Sequence, residues 1–350
     1  MEKVAILAIT KNGIQIGIKI KEFFPNWNLF APEKFAFDDS RVNWFHESTS
    51  LKIEELFKNN DAMVCLFSLG AVIRLISPHL KDKKMDPAII VIDDKTNFVI
   101  SALSGHLGGA NELTNKIAKK LNSTPVITTA ADVNKTIAVD LVGKEFGWQI
   151  DNDSSVTKVS AFMVNEEKIG LYQDTGEKNW WEKDLPRNVI TYKTLDDLKK
   201  SDSKGVLIIT DKLVKVENHP SVIYRPKTLV VGVGLHRDTS KETIQKGLEE
   251  SLKRYALSPK SIAKLVSIKK PKDVQGLIDA AKEMNIPLEY VEKEELAKVE
   301  IPNPSKKVES FEGTPSVSEA AAILVSKGEL LVEKQKFPPN LTIAIARKIH

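Results

Sequence analysis

Short apolar runs alternate with amphipathic stretches along most of the chain. The runs at residues 4–9, 62–67 and 88–92 are strand-like, whereas residues 13–23 and 109–121 carry apolar side chains at helical spacing. Further strands are expected at 97–101 and 125–128, and a helical turn at 70–77. This β-α-β-α alternation predicts a parallel sheet covered by helices.

The middle of the chain breaks this rhythm. Residues 144–226 carry many charges and only short strand-like runs, and Trp180 and Trp181 sit among polar residues. These two side chains either pack over the edge of a small domain or stack on a planar ligand. The β-α alternation resumes at Thr228 and continues to the end of the sequence.

These patterns predict an α/β protein. We expect two parallel-sheet α/β domains, residues 1–143 and 227–350, joined by a smaller α+β segment, residues 144–226. The chain has 350 residues, which fits two to three domains. The boundary near Arg225-Pro226-Lys227 is the best marked of the two.

Composition narrows the class of protein. The 51 Lys and Arg residues exceed the 47 Asp and Glu residues by only four, and they are dispersed, which argues against a nucleic-acid partner. No apolar run reaches the ~18 residues of a membrane span, and the N-terminus lacks a signal-peptide cleavage site, so we expect a cytoplasmic protein without a membrane partner. The single cysteine, Cys65, excludes an intrachain disulfide and a Cys-based zinc cluster, and it is expected to be buried.

Four loops follow predicted strands, where α/β proteins bind ligands. In the first, residues 67–74, Gly70 allows close backbone approach and Arg74 is placed to meet a carboxylate, although a plain tight turn explains the loop equally well. The second, residues 101–111, reads S-A-L-S-G-H-L-G-G-A-N. Its glycines Gly105, Gly108 and Gly109 surround His106, a side chain able to act as a general base. The loop is neither a phosphate-binding P-loop nor a dinucleotide fingerprint.

The third and fourth loops are less specific. Thr128, Thr129 and Asp132 end a strand and either orient a ligand or cap a helix. Gly232, Gly234 and Arg237 lie between a strand and a helix, where they suit an anionic group. Farther on, Thr314 or Ser316 and then Glu319 form a helix capping box, so a ligand role there is an additional claim. The six histidines are scattered, and no metal site is expected.

The loops carry a specific resemblance. Residues 70–76, 86–88, 104–113 and 125–130 resemble the N-terminal domain of the cobalt-precorrin-5A hydrolases of anaerobic cobalamin biosynthesis, above all through the stretch S-G-H-L-G-G-A-N. Residues 314–322 and 342–347 resemble the C-terminal domain of that family. The chain departs from the family at 232–238, where the family tends to have Gly-Ile-Gly-Cys-Arg-Arg-Gly. It departs again at 269–274, where the family tends to have Asp-Leu-Lys-x-Asp-Glu, so roles there do not carry over.

The resemblance implies a hydrolase. Its substrate would be a cobalt-bearing tetrapyrrole with a δ-lactone; water opens the lactone, and the carbon that bore the lactone oxygen leaves as acetaldehyde, which gives cobalt-precorrin-5B. Cobalt belongs to the substrate, so no protein cofactor is expected. His106 would act as the base, with the N–H groups of Gly108 and Gly109 as oxyanion donors. The catalytic set also includes Ser104 and Asn111.

The substrate-binding set is drawn from all four loops and from the region of the capping box. It comprises Gly70, Arg74, Gly105, Gly108, Gly109, Thr128, Thr129, Gly232, Gly234, Arg237, Thr314 and Ser316. Two alternatives remain open: a protein that binds and transfers the tetrapyrrole without catalysing a reaction, and an enzyme that acts on a phosphorylated metabolite. Transient contact with neighbouring pathway enzymes is a further expectation.

Overall fold

The computed structural model describes residues 3–82, 85–106, 108–270, 272, 274–305 and 316–349. The chain divides into two compact units, residues 1–141 and residues 142–350. The first unit is built on one sheet, and the second contains two further sheets.

The first unit alternates strands with helices. Its elements are β1 (Val4–Ala8), α1 (Lys11–Phe23), β2 (Asn28–Pro32), β3 (Val42–Phe45), α2 (Thr49–Asn59), β4 (Ala62–Leu66), α3 (Leu69–Ile76), β5 (Ala88–Ile92), β6 (Phe98–Leu103), α4 (Ala110–Leu121), β7 (Thr124–Val126) and α5 (Ala130–Val133).

The strands of this unit form one sheet in the order β3-β2-β1-β4-β5-β6-β7. The central strands β1, β4 and β5 are apolar and buried along their whole length, because helices cover both faces of the sheet. Cys65 lies in β4 as expected, and burial raises the pKa of its thiol to about 12.

The direction of the strands reverses once in this sheet, between β5 and β6. All neighbouring strands are parallel except β5 and β6, which are antiparallel, with Ile89 opposite Leu103. The link at 93–97 is too short for a crossover and makes a hairpin, in which Asp93 accepts the backbone N–H groups of Lys95 and Phe98. The carboxyl ends of β6 and β7 therefore lie at the edge where β5 begins, opposite the edge where β1 and β4 end.

The second unit contains a middle sheet and a C-terminal sheet. Its elements are β8 (Gln149–Ile150), α6 (Val156–Val164), β9 (Ile169–Gln173), β10 (Val189–Thr191), α7 (Leu195–Lys199), β11 (Gly205–Ile209), β12 (Ser221–Arg225), β13 (Leu229–Leu235), α8 (Lys241–Arg254), β14 (Ile262–Ile268), α9 (Gln275–Glu283), β15 (Leu288–Val291), α10 (Lys293–Leu296), α11 (Val317–Ser326), β16 (Leu330–Phe337) and β17 (Leu341–Arg347).

The middle sheet has the order β10-β9-β11-β12-β8 and the C-terminal sheet the order β15-β14-β13-β17-β16. The expected α/β class is confirmed, and the sheet of the first unit and the middle sheet are mostly parallel. The C-terminal sheet is mixed, because β16 and β17 are joined by the short turn at 338–340 and pair as an antiparallel hairpin. Trp180 packs into the middle region, where its indole N–H donates to Gln173 Oε1 at 2.9 Å.

A buried ionic network connects the two sheets of the second unit. Arg347 of β17 makes two hydrogen bonds of 2.8 Å to the fully buried carboxylate of Asp211, which follows β11. Thr228 donates a third hydrogen bond to the same carboxylate, at 2.9 Å. Removing one partner would leave a buried charge unpaired, so this network ties the two sheets together.

Candidate functional site

His106 lies between two carboxylates. Its Nε2 is 2.9 Å from Asp132 Oδ2, and its Nδ1 is 3.4 Å from Asp140 Oδ1. The imidazole is mostly buried, with 17% of its side chain exposed, whereas 45% of the Asp132 side chain is exposed. The cluster is therefore sheltered on the histidine side and open to solvent on the side of Asp132.

These carboxylates change the acid–base behaviour of the ring. Contact with Asp140 is the largest cause that raises the pKa of His106 above its ordinary value. Asp132 acts in the same direction, and partial burial of the ring opposes both. His106 therefore keeps its proton to a higher pH than a free histidine does.

Asn111 connects the histidine loop to the strand and the short helix beside it. Its Nδ2 donates to Thr129 Oγ1 at 2.9 Å and to Asp132 Oδ2 at 2.7 Å. Its Oδ1 accepts the hydroxyl of Ser101 on β6 at 2.6 Å. Because this amide is buried and fully engaged, it fixes the position of Asp132 relative to β6 and α4.

The loop glycines have local structural reasons. A Cβ on Gly105 would lie 2.7 Å from Asn111 Oδ1, and one on Gly108 would overlap Ser104. Gly109 has a φ of +81°, in the left-handed region that favours glycine. The loop can pass close to Asn111 and enter α4 only because these side chains are absent.

Ser104 has a structural role in the loop. Its φ of +55° is unusual for a residue with a side chain and costs about 1 to 2 kcal/mol. Its hydroxyl donates to the Asp86 carbonyl at 2.9 Å, and its own carbonyl accepts the N–H of Ala110. The catalytic assignment of Ser104 remains a prediction, and these contacts show the hydroxyl engaged with the backbone that leads into β5.

The comparisons with known proteins cover nearly the whole chain. Three family descriptions match it: "Cobalamin synthesis G N-terminal" at residues 52–132, "Cobalamin biosynthesis central region" at 137–226 and "Cobalamin synthesis G C-terminus" at 229–346. A curated relative from Priestia megaterium, named cobalt-precorrin-5A hydrolase, is 40% identical over 98% of this chain and 94% of its own length. The chain belongs to the cobalamin synthesis G family.

Two further proteins that this chain resembles have lower sequence identity to it. A cobalt-precorrin-5A hydrolase from Salmonella typhimurium is 29% identical over 95% of this chain and 94% of its own length. A solved structure titled as a putative cobalamin biosynthesis protein G homolog from Sulfolobus solfataricus is 23% identical, covers 99% of this chain and 98% of its own, and has a TM-score of 0.40.

Thr128 and Thr129 come from the end of β7 and lie at the same edge as His106. Thr129 occupies the N-cap position of α5, but its side chain makes no capping bond and instead accepts the amide of Asn111. Thr128 is exposed beside it. The expectation that Thr129 or Asp132 caps a helix is therefore wrong for Thr129; Asp132 orients His106.

The first glycine loop does not join this site. Gly70 and Arg74 lie on α3, which begins where β4 ends, at the edge of the sheet opposite to His106. The Arg74 guanidinium donates to the Gly70 carbonyl of its own helix at 3.3 Å. A Cβ on Gly70 would have only Arg74 Nη1 nearby, at 3.5 Å, so neither sterics nor backbone geometry requires this glycine.

The glycines of β13 serve packing instead of a loop. Gly232 and Gly234 lie within the strand, and a Cβ on Gly232 would overlap the Ser318 carbonyl of α11. A Cβ on Gly234 would overlap the hydroxyl of Thr342 on β17. Arg237 is exposed in the turn that follows. The spacing of these glycines thus allows α11 and β17 to approach β13.

The predicted capping box does not form. Ser316 is buried at the N-cap position of α11 but its side chain makes no capping bond. The fully buried Glu319 turns toward β16, where it accepts the side chain of Asn303 at 2.8 Å and the backbone N–H of Lys334 at 3.1 Å. Thr314 lies outside the described residues.

Sequence reasoning missed Asp140 and Ser101. Asp140 lies 34 residues after His106, in an irregular segment without a motif, so only folding brings the two together. Ser101 lies on β6 and donates to Asn111. Because side chains alternate between the two faces of a strand, the two-residue period of β6 was the signal that could have identified it. Within the described ranges, no three side chains of His, Cys, Asp or Glu form a metal-binding group, and no helix there could cross a membrane.

Proposed function

We propose that this chain hydrolyses cobalt-precorrin-5A at the site around His106. Water adds to the lactone carbonyl of the substrate and opens the ring. The carbon that carried the lactone oxygen then leaves with its methyl group as acetaldehyde, and cobalt-precorrin-5B remains. The names of the curated relatives and the three matching family descriptions support this assignment.

The observation that carries the location of the site is the His106 ring with a carboxylate at each nitrogen. Lactone opening and the later bond cleavage both need a group that accepts a proton and a group that donates one. Here such groups are in direct contact, and one of them, Asp132, is open to a ligand. The opposite edge of this sheet offers Arg74, which is hydrogen-bonded to its own helix.

The oxyanion donors are reduced to one of the two expected. The N–H of Gly109 donates to the His106 carbonyl at 3.0 Å, so it is not available to a substrate oxygen. The N–H of Gly108 makes no hydrogen bond within the described part of the chain. We propose that Gly108 supplies the backbone donor of this site, since such groups stabilise the charge that develops during acyl transfer.

Binding and cofactor use follow from the same proposal. Thr128 and Thr129 contribute hydroxyl groups at the His106 edge, whereas Ser104 holds the loop and Asn111 holds Asp132 in place. Cobalt enters as part of the substrate, and no resident cofactor is required by the steps proposed. Contact with neighbouring enzymes of the pathway remains a proposal without a located surface.

The test is anaerobic incubation of the purified protein with cobalt-precorrin-5A while acetaldehyde is trapped. We expect acetaldehyde to appear in step with loss of the lactone, and His106→Ala to lower the rate by about two to four orders of magnitude. Glu54→Gln is the matched control, because it removes an exposed carboxylate on α2, remote in sequence from the site, that pairs with Lys58.

Three outcomes would change the proposal. Tight binding of the tetrapyrrole without acetaldehyde would support a carrier. Neither binding nor turnover would overturn the function. Full turnover by a folded His106→Ala variant would keep the function and move the site elsewhere.

A further inference from the structure

We propose that His106 is the proton donor of this site and Asp132 the proton acceptor, with Asp140 holding the histidine in its charged form. The assignment rests on the hydrolase function proposed above. It reverses the role of base that the sequence suggested for His106. Neither the family descriptions nor the names of the relatives assign a role to Asp132 or Asp140.

The two contacts of the imidazole decide its protonation. A neutral imidazole carries one N–H donor and one nitrogen acceptor, whereas the charged ring carries two donors. A carboxylate oxygen is an acceptor, so a nitrogen lone pair directed at it is repelled. Carboxylates face both nitrogens of His106, at 2.9 Å and 3.4 Å, and only the charged ring satisfies both contacts. In this arrangement the ring has no lone pair with which to accept a proton from water.

Asp132 has the complementary geometry. Its Oδ2 receives two donors, from His106 Nε2 and Asn111 Nδ2. Its Oδ1 makes no hydrogen bond within the described residues, and the side chain is the most exposed of the cluster. One oxygen thus anchors the carboxylate, while the other is free to take a proton from an incoming water molecule.

The protons balance in the first step. Asp132 takes a proton from the attacking water, and the oxygen of that water forms a bond to the lactone carbonyl carbon. The carbon–oxygen bond of the lactone breaks, and His106 gives its proton to the departing oxygen, which becomes a hydroxyl group. At this stage Asp132 is protonated and His106 is neutral.

The second step restores both groups. Neutral His106 takes the proton of the new hydroxyl group as its oxygen forms the carbonyl of acetaldehyde. The carbon–carbon bond to the macrocycle breaks, its electron pair enters the conjugated ring system, and Asp132 gives its proton to the ring atom that receives the pair. Over both steps one water molecule is consumed and the enzyme returns to its starting state.

Asp140 is a positioning residue in this scheme. It contacts the nitrogen of His106 that faces away from Asp132, and it is the less exposed carboxylate, at 22% of its side chain. It is also the largest cause of the raised pKa of His106. Its removal should therefore change the pH range over which His106 stays charged, more than the maximal rate.

The experiment combines a pH profile with a direct measurement of the ring. We expect kcat/KM for acetaldehyde release to fall at high pH as His106 loses its proton. In Asp140→Asn the alkaline limb should move to lower pH, while Asp140→Glu should keep it near that of the wild type. Asp132→Asn should lose about two to four orders of magnitude in rate.

Nitrogen NMR of the free protein, labelled at histidine, provides a readout that needs no turnover. We expect both ring nitrogens of His106 to carry protons at neutral pH, and this state to give way at lower pH in Asp140→Asn. An alkaline limb that stays in place in Asp140→Asn, or a neutral His106 ring in the wild type, would overturn the proton-donor role. Failure of the hydrolase proposal would be recognised separately, as absence of acetaldehyde from the wild type.

Discussion

Two glycine-rich segments of this molecule look alike in sequence and differ in what their glycines do. The loop at 104–109 frames His106 between Asp132 and Asp140, and the absence of side chains at Gly105 and Gly108 leaves room for Asn111 and Ser104. The segment at 232–238 begins inside β13, where glycine lets α11 lie against the strand. Glycine density after a strand therefore marks close approach, and only the structure shows whether the neighbour is a reactive cluster or a helix.

The histidines of the two segments give the sharpest contrast. His106→Ala should lower acetaldehyde release by about two to four orders of magnitude, because it removes a group that exchanges protons with the substrate. His236→Ala, in the exposed turn after β13, should change the rate less than twofold. Rates of the folded variants under anaerobic conditions check this, and a comparable loss in both would erase the contrast.

The glycines themselves should separate stability from turnover. Gly232→Ala should lower the free energy of unfolding by about 3 kcal/mol or more, since the added Cβ overlaps the backbone of α11. Its folded fraction should retain the wild-type rate. Gly108→Ala should instead reduce turnover in protein that remains folded, because the added Cβ displaces Ser104 and the loop that carries His106.

Denaturant titration measures the stability of both variants, and acetaldehyde release measures their turnover. A stable Gly232→Ala protein with impaired turnover would show that this glycine serves a ligand, as the sequence first suggested.

A third glycine tests the same reasoning in the opposite direction. A Cβ on Gly70 in α3 would meet only the end of the flexible Arg74 side chain, so Gly70→Ala should raise the free energy of unfolding by about 0.5 to 1 kcal/mol. Turnover should not change, because α3 begins at the sheet edge opposite to His106. A loss of activity in a stabilised Gly70→Ala protein would show that this loop contributes to the substrate site.

The smallest expected effect is the pH dependence of the free energy of unfolding that His106 causes. Because the folded protein raises the pKa of His106, the charged histidine contributes stability that is fully present below its unfolded value of about 6.5. This contribution is lost as pH rises through the folded value. The stability difference between wild type and His106→Gln should therefore be larger at pH 5.5 than at pH 9, and an equal difference at both would contradict the raised pKa.

Local patterns predicted the elements and the central loop. The apolar runs located β1, β4 and β5, and the glycines around His106 marked the loop that the structure places at the site. The direction of β6 could not be predicted from the same patterns, because a hairpin and a crossover both begin with a strand. That single reversal separates Gly70 and Arg74 from His106.

Contacts between residues that are distant in sequence could not be predicted either. The pairing of Asp140 with His106 depends on an irregular segment, and the spacing of Ser316 and Glu319 predicted a local bond where Glu319 bonds to Asn303 and the backbone of β16. In both cases tertiary packing decides which partner a polar side chain takes.

The measurement that tests the central claim most directly is a single-turnover experiment with cobalt-precorrin-5A and an excess of enzyme, without oxygen. The wild type should release one acetaldehyde for each lactone lost, and folded His106→Ala should bind the tetrapyrrole, as its absorbance spectrum shows, with acetaldehyde release slower by at least two orders of magnitude. Release at the wild-type rate by His106→Ala would contradict the assignment of the chemistry to this cluster.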